Sequence, residues 1–134
     1  MKIKSIKGMH DLGPDECKNW RQVENILHNF FEIHGYNEIR TPIIEKSDLF
    51  NRVIGDQTDI VNKEMYSWRD HSGDSLALRP ELTAPTVRSF IQNSMDKLRK
   101  VNKLYYIGPA FRRERPQKGR QRQFHQFGVE AIGS

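Results

Sequence analysis

The residues best suited to chemistry lie in one segment near the end of the sequence, Gln123–Ile132, which is predicted to be a β-strand. Because side chains alternate between the two faces of a strand, Phe124, Gln126, Gly128 and Glu130 share one face. An aromatic ring, an amide, a missing side chain and a carboxylate in one line are unusual for a core. A glycine inside a strand often marks the close approach of a ligand or of another backbone. The amide and the carboxylate beside that gap would suit a small cationic or amine-bearing ligand.

A second group of polar residues precedes this strand. Arg112 and Glu114 are two positions apart on the strand that enters the same loop, so both face the side of Phe124 if the two strands pair as a hairpin. The arginine suits a phosphate oxygen, and the ring of Phe124 could stack on a planar base. A solvated sheet face with an Arg–Glu pair across strands explains the same pattern without a ligand. The pattern alone leaves both interpretations open.

The loop between the two strands carries the excess charge of the whole chain. The 134 residues include 22 Lys and Arg against 17 Asp and Glu, a net charge of +5. Residues 112–122 contain six cations and one carboxylate, so the remainder balances with 16 of each sign. Such a loop suits a nucleic-acid backbone or a triphosphate, and plain solvation of the charges is the competing interpretation. If all six met phosphates, RNA affinity would fall with salt at a log–log slope of up to roughly −4. The six are Arg112, Arg113, Arg115, Lys118, Arg120 and Arg122.

Composition and motifs exclude several classes of protein. The single cysteine, Cys17, rules out an internal disulfide and a multi-cysteine zinc site, and the histidines show no metal-ligand spacing. Neither glycine-rich phosphate motif occurs, so a nucleotide would be bound by arginines on a sheet. No apolar run approaches the roughly 18 residues of a membrane span, and no signal peptide is recognisable. We therefore expect a cytoplasmic protein with no metal-site residues and no membrane partner.

Helices and antiparallel strands are predicted to position these residues. Apolar residues at steps of three and four between Pro14 and Gly35 indicate a long amphipathic helix. Thr83 is predicted to cap a second helix that runs to about Arg99. Hairpin-linked strands mixed with separated helices indicate an α+β fold with an antiparallel sheet flanked by helices. Strands are predicted at 36–41, 65–70, 75–78, 104–107 (stopped by Gly108-Pro109) and 123–132. The face of the last strand predicted to lie in the core carries His125, Phe127, Val129 and Ala131.

Three longer segments resemble one family of enzymes. GYNEIRTPIIEKSDLFNRVIGDQTDIVNKEMYSW is similar to the motif 1 region of histidyl-tRNA synthetases, a dimer-forming helix and strand that ends in a proline, here Pro42. LRPELTAPTVR resembles the histidine-contacting segment of that family. LYYIGPAFRRERPQKGRQRQFHQFGVEAIGS closely resembles motif 2, an antiparallel strand–loop–strand that binds ATP and the tRNA acceptor end. The likeness extends over essentially the whole chain from IKGMHDL onward.

This resemblance implies a class II aminoacyl-tRNA synthetase fold and the activity of a histidine–tRNA ligase. Such an enzyme activates L-histidine with ATP, accompanied by Mg²⁺, to histidyl-adenylate and transfers the histidyl group to the 3′ end of tRNA(His). The family implies a homodimer formed through motif 1. The implied catalytic residue is Arg112. The implied histidine-binding residues are Glu81, Leu82, Thr83, Arg112, Gln126 and Glu130. The implied ATP-binding residues are Arg112, Glu114, Arg120 and Phe124. The implied tRNA contacts are Arg113, Arg115, Gln117, Lys118 and Arg122.

Two features depart from the family pattern. Leu82 and Pro85 stand where many relatives have glycine and another small residue, which would change the shape of the histidine pocket. A second histidine-recognition segment, motif 3 and an anticodon-binding domain do not occur. We therefore expect residues 1–134 to be the N-terminal portion of the catalytic domain, truncated after motif 2, and to be inactive in aminoacylation by themselves.

Two other classes of protein share part of this pattern. The first is the histidine-binding, non-catalytic paralogue that serves as the regulatory subunit of ATP phosphoribosyltransferase. A subunit that never meets tRNA has no obvious use for the six loop cations, which favours the synthetase. The second is a bare RNA-binding module, which would explain the loop but not Glu130 beside Gly128.

Overall fold

The structure, a computed structural model, describes residues 1–54 and 64–133, so residues 55–63 of the motif 1-like segment lie outside the described residues. The described helices are α1 (Pro14–Ile33), α2 (Ser47–Ile54), α3 (Thr83–Gln92) and a 3₁₀ helix (Met95–Lys97). The described strands are β1 (Asn37–Glu38), β2 (Ile44–Lys46), β3 (Ser67–Arg69), β4 (Ser75–Leu78), β5 (Asn102–Phe111) and β6 (Gln123–Ile132). They form a large sheet of order β1–β5–β6 and a small sheet of order β2–β4–β3, which confirms the α+β fold. None of the described helices is long and apolar enough to cross a membrane.

Helix α1 begins and ends close to the predicted residues. Pro14 stands at its first position, where a missing N–H costs nothing, and the Glu16 carboxylate accepts a hydrogen bond from the N–H of Gly13 at 3.5 Å. The helix stops before Gly35, which adopts a φ of 82°. The predicted helix is thus confirmed, whereas Val23, Ile26 and Phe30 of its predicted apolar face are exposed.

One aromatic contact attaches α1 to the large sheet. The rings of Phe31 and Tyr105 lie 4.9 Å apart, and both residues are buried. The Tyr105 hydroxyl donates to Glu32 at 3.1 Å and lies 2.7 Å from Nδ1 of His28. Burial, followed by the bond to Glu32, raises the pKa of Tyr105 to about 12. The helix therefore packs over β5.

Strands β5 and β6 form one long antiparallel ribbon. It extends from Asn102 opposite Ile132 to Phe111 opposite Gln123, and the predicted bounds of β6 are confirmed. The prediction that the preceding strand stops at Gly108-Pro109 is wrong. The backbone of Pro109 faces the side of β5 that is turned away from β6. Strand β1 does not extend to this position, so no N–H is needed there for a strand partner, and β5 continues through the proline.

The prediction that the second face of β6 lies in the core is also wrong. Phe127 is 58% exposed and Val129 is 39% exposed, and His125 and Ala131 are exposed too. The ring of His125 lies 4.4 Å from that of Trp20 in α1. Because α1 packs over β5, it covers β6 only at such contacts.

The small sheet and the two shorter helices enclose a second apolar cluster. Phe50 of α2, Ala77 of β4 and Ala84 of α3 are buried there together with Met65, and Leu49 packs against them. Strands β3 and β4 form the predicted hairpin, whose turn includes Gly73 at a φ of 90°.

Helix α3 is shorter than predicted and is capped differently. It ends at Gln92 because Ser94 adopts the left-handed conformation, with a φ of 50°. The residue that precedes its first turn is Leu82, and Thr83 makes no capping bond with its side chain. The carboxylate of Glu81 binds the free N–H groups of the first turn instead.

The buried guanidinium of Arg79 joins the two sheets. Its Nε donates to the carbonyl oxygen of Pro109 at 2.8 Å, and its Nη1 donates to that of Thr41 at 3.0 Å. The Arg79 backbone donates to Ile43 and accepts from Phe111, each at 3.0 Å. Burial lowers the pKa of Arg79. One residue thus links the start of the small sheet to the end of β5.

We predict that Arg79→Met lowers the free energy of unfolding by about 2–3 kcal/mol, because two sheltered carbonyl groups lose their donor. Urea denaturation followed by circular dichroism measures this loss. The matched control is Arg69→Met, since Arg69 is exposed on β3 and its side chain donates to the Gly73 carbonyl at 3.3 Å. Equal stabilities of the two variants would contradict the joining role of Arg79.

Candidate nucleotide and amino-acid site

The β5–β6 ribbon positions the basic loop and the residues on either side of it. The N–H of Arg112 donates to the carbonyl of Arg122 at 2.9 Å, which closes the base of the loop. The N–H of Arg122 donates to Gly8 at 2.8 Å, so the N-terminal segment also holds that base. At the tip, the backbones of Gln117 and Arg120 bond to each other in a turn. The loop thus continues the hairpin beyond the two strands.

The four residues implied in ATP binding line one cavity of about 450 Å³. Nε of Arg112 donates to the carbonyl of Pro80 at 3.1 Å, which fixes the guanidinium at the end of β5. That guanidinium lies 5.2 Å from the ring centre of Phe124 and 3.8 Å from the carboxylate of Glu114. Arg120 lines the same cavity from the loop. A ring, a carboxylate and two cations on one side of a sheet can bind a base and its phosphates.

The segment before α3 brings a second polar group to the same face. Both oxygens of Glu81 accept hydrogen bonds from α3, with Ala84 at 3.1 Å and 3.2 Å. The Oε1 of Gln126 accepts from the N–H of Leu82 at 2.8 Å, which leaves the Gln126 amino group free to donate. The Leu82 side chain is buried beneath the site against Tyr106. Leu82 therefore contributes packing and one backbone bond.

A hydrogen-bonded chain crosses the floor of this second group. The Tyr106 hydroxyl donates to Glu130 at 3.0 Å and lies 3.2 Å from the hydroxyl oxygen of Thr83. Burial raises the pKa of Tyr106 to about 12; the bond from Thr83 lowers it, and the bond to Glu130 raises it. The gap at Gly128 is filled from inside the protein, because a Cβ there would lie 2.7 Å from the Tyr106 oxygen. The space beside Gly128 is therefore occupied by a side chain of the protein itself.

The loop residues implied in tRNA binding fall into two groups. Arg113, Arg115, Gln117 and Lys118 are exposed. The Arg122 guanidinium instead donates to carbonyl oxygens at the base of the loop, with Glu114 at 3.1 Å and Lys7 at 3.4 Å. Arg122 thus stabilises the loop itself.

Sequence reasoning missed Tyr106, which connects Thr83 to Glu130. A signal was present, since Tyr106 is an even number of positions before Arg112 and so shares its face on a continuous strand. The prediction that the strand ends at Ile107 hid this relation. Within residues 1–54 and 64–133, no cluster of three or more His, Cys, Asp or Glu side chains could hold a metal ion.

This fold is shared with a solved aminoacyl-tRNA synthetase and with a solved protein described partly as a regulatory subunit. The apo histidyl-tRNA synthetase of S. aureus superposes with a TM-score of 0.80 at 42% identity, over 99% of this chain and 30% of that one. A Bacillus halodurans protein described as an ATP phosphoribosyltransferase regulatory subunit/histidyl-tRNA synthetase superposes with a TM-score of 0.83 at 26% identity, over 100% of this chain and 33% of that one. The fold is that of a class II aminoacyl-tRNA synthetase catalytic domain.

Sequence comparison narrows this class to one family. The family model described as histidyl-tRNA synthetase matches residues 8–134. The histidine–tRNA ligase of Syntrophotalea carbinolica is 56% identical over 99% of this chain and 32% of its own length. The chloroplastic enzyme of Pyropia yezoensis is 53% identical over 99% and 31%. The chain belongs to the histidyl-tRNA synthetase family and spans about a third of the length of the curated relatives it matches.

We predict that Glu81→Ala destabilises the protein by about 1 kcal/mol, because the first turn of α3 loses its acceptor. Urea denaturation measures the change. Glu81→Gln is the matched control, since it keeps one acceptor oxygen and should lose less stability. If Glu81→Ala unfolds at the wild-type urea concentration, the capping role of Glu81 is wrong.

Proposed function

We propose that the protein is a histidine–tRNA ligase, of which residues 1–134 form the part of the catalytic domain that carries motifs 1 and 2. It activates L-histidine with ATP to histidyl-adenylate and transfers the histidyl group to tRNA(His). The observation that carries this proposal is the adjacency of two groups on one sheet face. Phe124, which lines the cavity of Arg112, packs against the buried cluster that contains Tyr106, and Tyr106 bonds to Thr83 and Glu130.

The nucleotide group suits ATP in its charge and shape. Phe124 stacks on adenine, and Glu114 accepts from the adenine amino group. Arg112 neutralises the α-phosphate while a histidine carboxylate oxygen attacks the phosphorus and pyrophosphate leaves. Arg120 meets the distal phosphates, which also carry the Mg²⁺. The bond from Arg112 to Pro80 supports this role, because it fixes a cation that would otherwise lose mobility on binding.

The second group suits an amino acid with a polar ring. Glu81 and Thr83 provide acceptors for the α-ammonium group, together with the remaining lone pair of the Gln126 oxygen. Glu130 accepts an N–H of the imidazole. A hydrocarbon analogue of the ring would leave that carboxylate without a partner, which gives strong discrimination.

The exposed part of the loop suits the tRNA acceptor stem. It provides an amide and three cations, and no described carboxylate lies within salt-bridge distance of those cations. These residues are Gln117, Arg113, Arg115 and Lys118. We also place the protein in the cytoplasm and assign it a homodimer through the motif 1 segment that ends at Pro42.

A regulatory subunit of ATP phosphoribosyltransferase is the second candidate. The likeness to the Bacillus halodurans protein favours it, at 26% identity. The relatives at 53–56% identity that are described as histidine–tRNA ligases favour the first candidate. The two differ in whether ATP and tRNA bind.

We predict that two substitutions separate the ATP and histidine groups in calorimetric titrations of the chain. Phe124→Ala should weaken ATP binding about tenfold or more through lost stacking, with L-histidine binding unchanged. Glu130→Gln should weaken L-histidine binding by a similar factor, with ATP binding unchanged. The matched control is Phe127→Ala, which removes an exposed ring from the opposite face of β6.

Two results of these titrations would count against the ligase, and a third would count against the stacking role of Phe124. A wild-type chain that binds L-histidine but not ATP would favour the regulatory subunit. A wild-type chain that binds neither would leave the site without its proposed ligands. Equal effects of Phe124→Ala and Phe127→Ala on ATP would remove the stacking role.

We predict that tRNA(His) affinity falls with salt at a log–log slope between about −2 and −3, because Arg113, Arg115 and Lys118 meet phosphates. This slope is shallower than the sequence-based limit of roughly −4, since Arg112 and Arg120 line the ATP cavity and Arg122 is bound within the loop. Filter binding over a series of salt concentrations measures it. Lys118→Ala should reduce the slope by about one, whereas exposed Lys100→Ala, outside the loop, should leave it unchanged.

A further inference from the structure

The direction of each hydrogen bond around Tyr106 follows from chemistry. The Tyr106 hydroxyl has one proton, and the ionised carboxylate of Glu130 can only accept, so the 3.0 Å contact uses that proton. The 3.2 Å contact to Thr83 must therefore use the proton of the Thr83 hydroxyl. The hydrogen bonds are therefore donated in one direction, from Thr83 to Tyr106 and from Tyr106 to Glu130.

We propose that Tyr106 is a specificity-determining residue, whose hydroxyl makes Thr83 act only as an acceptor toward a bound ligand and orients the acceptor carboxylate of Glu130. The proposal deepens the proposed function and rests on it, because the ligand is taken to be L-histidine. The Thr83 hydroxyl donates its hydrogen bond to Tyr106, so only its lone pairs remain for the ligand. Oε1 of Glu130 accepts the hydrogen bond from Tyr106, and the other carboxylate oxygen remains for the ligand.

Packing prevents Tyr106 from leaving this position. The residue is 6% exposed, and its ring lies in a cluster with Leu82 and Ala110. Strand β6 passes the hydroxyl at Gly128, where a Cβ would lie 2.7 Å from the oxygen and 3.0 Å from Cζ. Any larger residue at position 128 would displace the hydroxyl from Thr83 and Glu130.

Thr83 and Glu130 both present acceptors, so together they select a ligand that has a hydrogen-bond donor at each of its two ends. An ammonium group has donors and no acceptor, and an imidazole ring offers an N–H to a carboxylate. Without the Tyr106 hydroxyl, Thr83 could rotate and present its proton to the ligand. Glu130 would also lose the donor that orients it. Tyr106 therefore acts on both ends of the ligand, although it is buried beneath them.

The direction of the hydrogen bonds around Tyr106 can be tested without any ligand. The ionisation of Tyr106 is followed by NMR in protein with ring-labelled tyrosine. In Glu130→Gln the pKa of Tyr106 should fall below the wild-type value of about 12, because a negative neighbour that opposes ionisation is removed. In Thr83→Val the pKa of Tyr106 should rise above the wild-type value, because a donor to the phenolate is removed. If the pKa of Tyr106 shifts in the same direction in both variants, or in neither, the proposed direction of the hydrogen bonds is wrong.

The effect on specificity is tested with Tyr106→Phe, which keeps the ring and removes only the hydroxyl. L-histidine affinity should fall about tenfold or more, while affinity for β-thienylalanine, whose ring has no N–H, should change little. ATP affinity should stay at the wild-type value. The matched control is Tyr105→Phe, which removes the hydroxyl of the neighbouring tyrosine on the α1 face. Unchanged discrimination between the two amino acids in Tyr106→Phe would overturn the specificity role.

The two experiments separate this inference from the proposed function. If the wild-type protein binds no L-histidine, both the ligase and the specificity role are contradicted. The NMR titration still decides the direction of the hydrogen bonds around Tyr106. A wild-type chain that binds L-histidine, with Tyr106→Phe binding it equally well, contradicts the role of Tyr106 and leaves the ligase standing.

Discussion

The structure depends most on the buried cation of Arg79, which binds backbone oxygens of the large sheet and of the segment that leads into the small sheet. Its side chain holds Pro109 of β5 and Thr41 ahead of β2, and its own backbone is bonded to Phe111. The next residue, Pro80, provides the carbonyl that holds Arg112. A cation that donates to backbone carbonyl groups fixes the positions of several segments at once.

The register of the ribbon then determines which candidate residues meet. Tyr106 lies opposite Gly128, and Ala110 lies opposite Phe124, so a large side chain faces a small one at each point. This complementarity lets the hydroxyl of Tyr106 reach Glu130 while the ring of Phe124 remains accessible to the cavity. Burying one polar group completely and leaving an aromatic ring half-open are two results of the same pairing.

Sequence patterns predicted some of this architecture and not the rest, for physical reasons. Period-two alternation was sufficient to predict β6 and to group Arg112 with Phe124, because that signal is local. The continuation of β5 through Pro109 depends on the edge being open there, which is a property of the sheet. The exposure of Phe127 depends on where α1 packs. The use of Arg122 within the loop depends on the N-terminal segment, which is far away in the sequence.

The proline in β5 also affects association between molecules. The outer edge of β5 beyond β1 is a place where a strand from another chain could add. At Pro109 that edge has no N–H to offer, and its carbonyl is already occupied by Arg79. A foreign strand would find neither a donor nor a free acceptor at this position. In the part of the chain that the structure describes, this stretch of the β5 edge is therefore a poor template for a strand from another molecule.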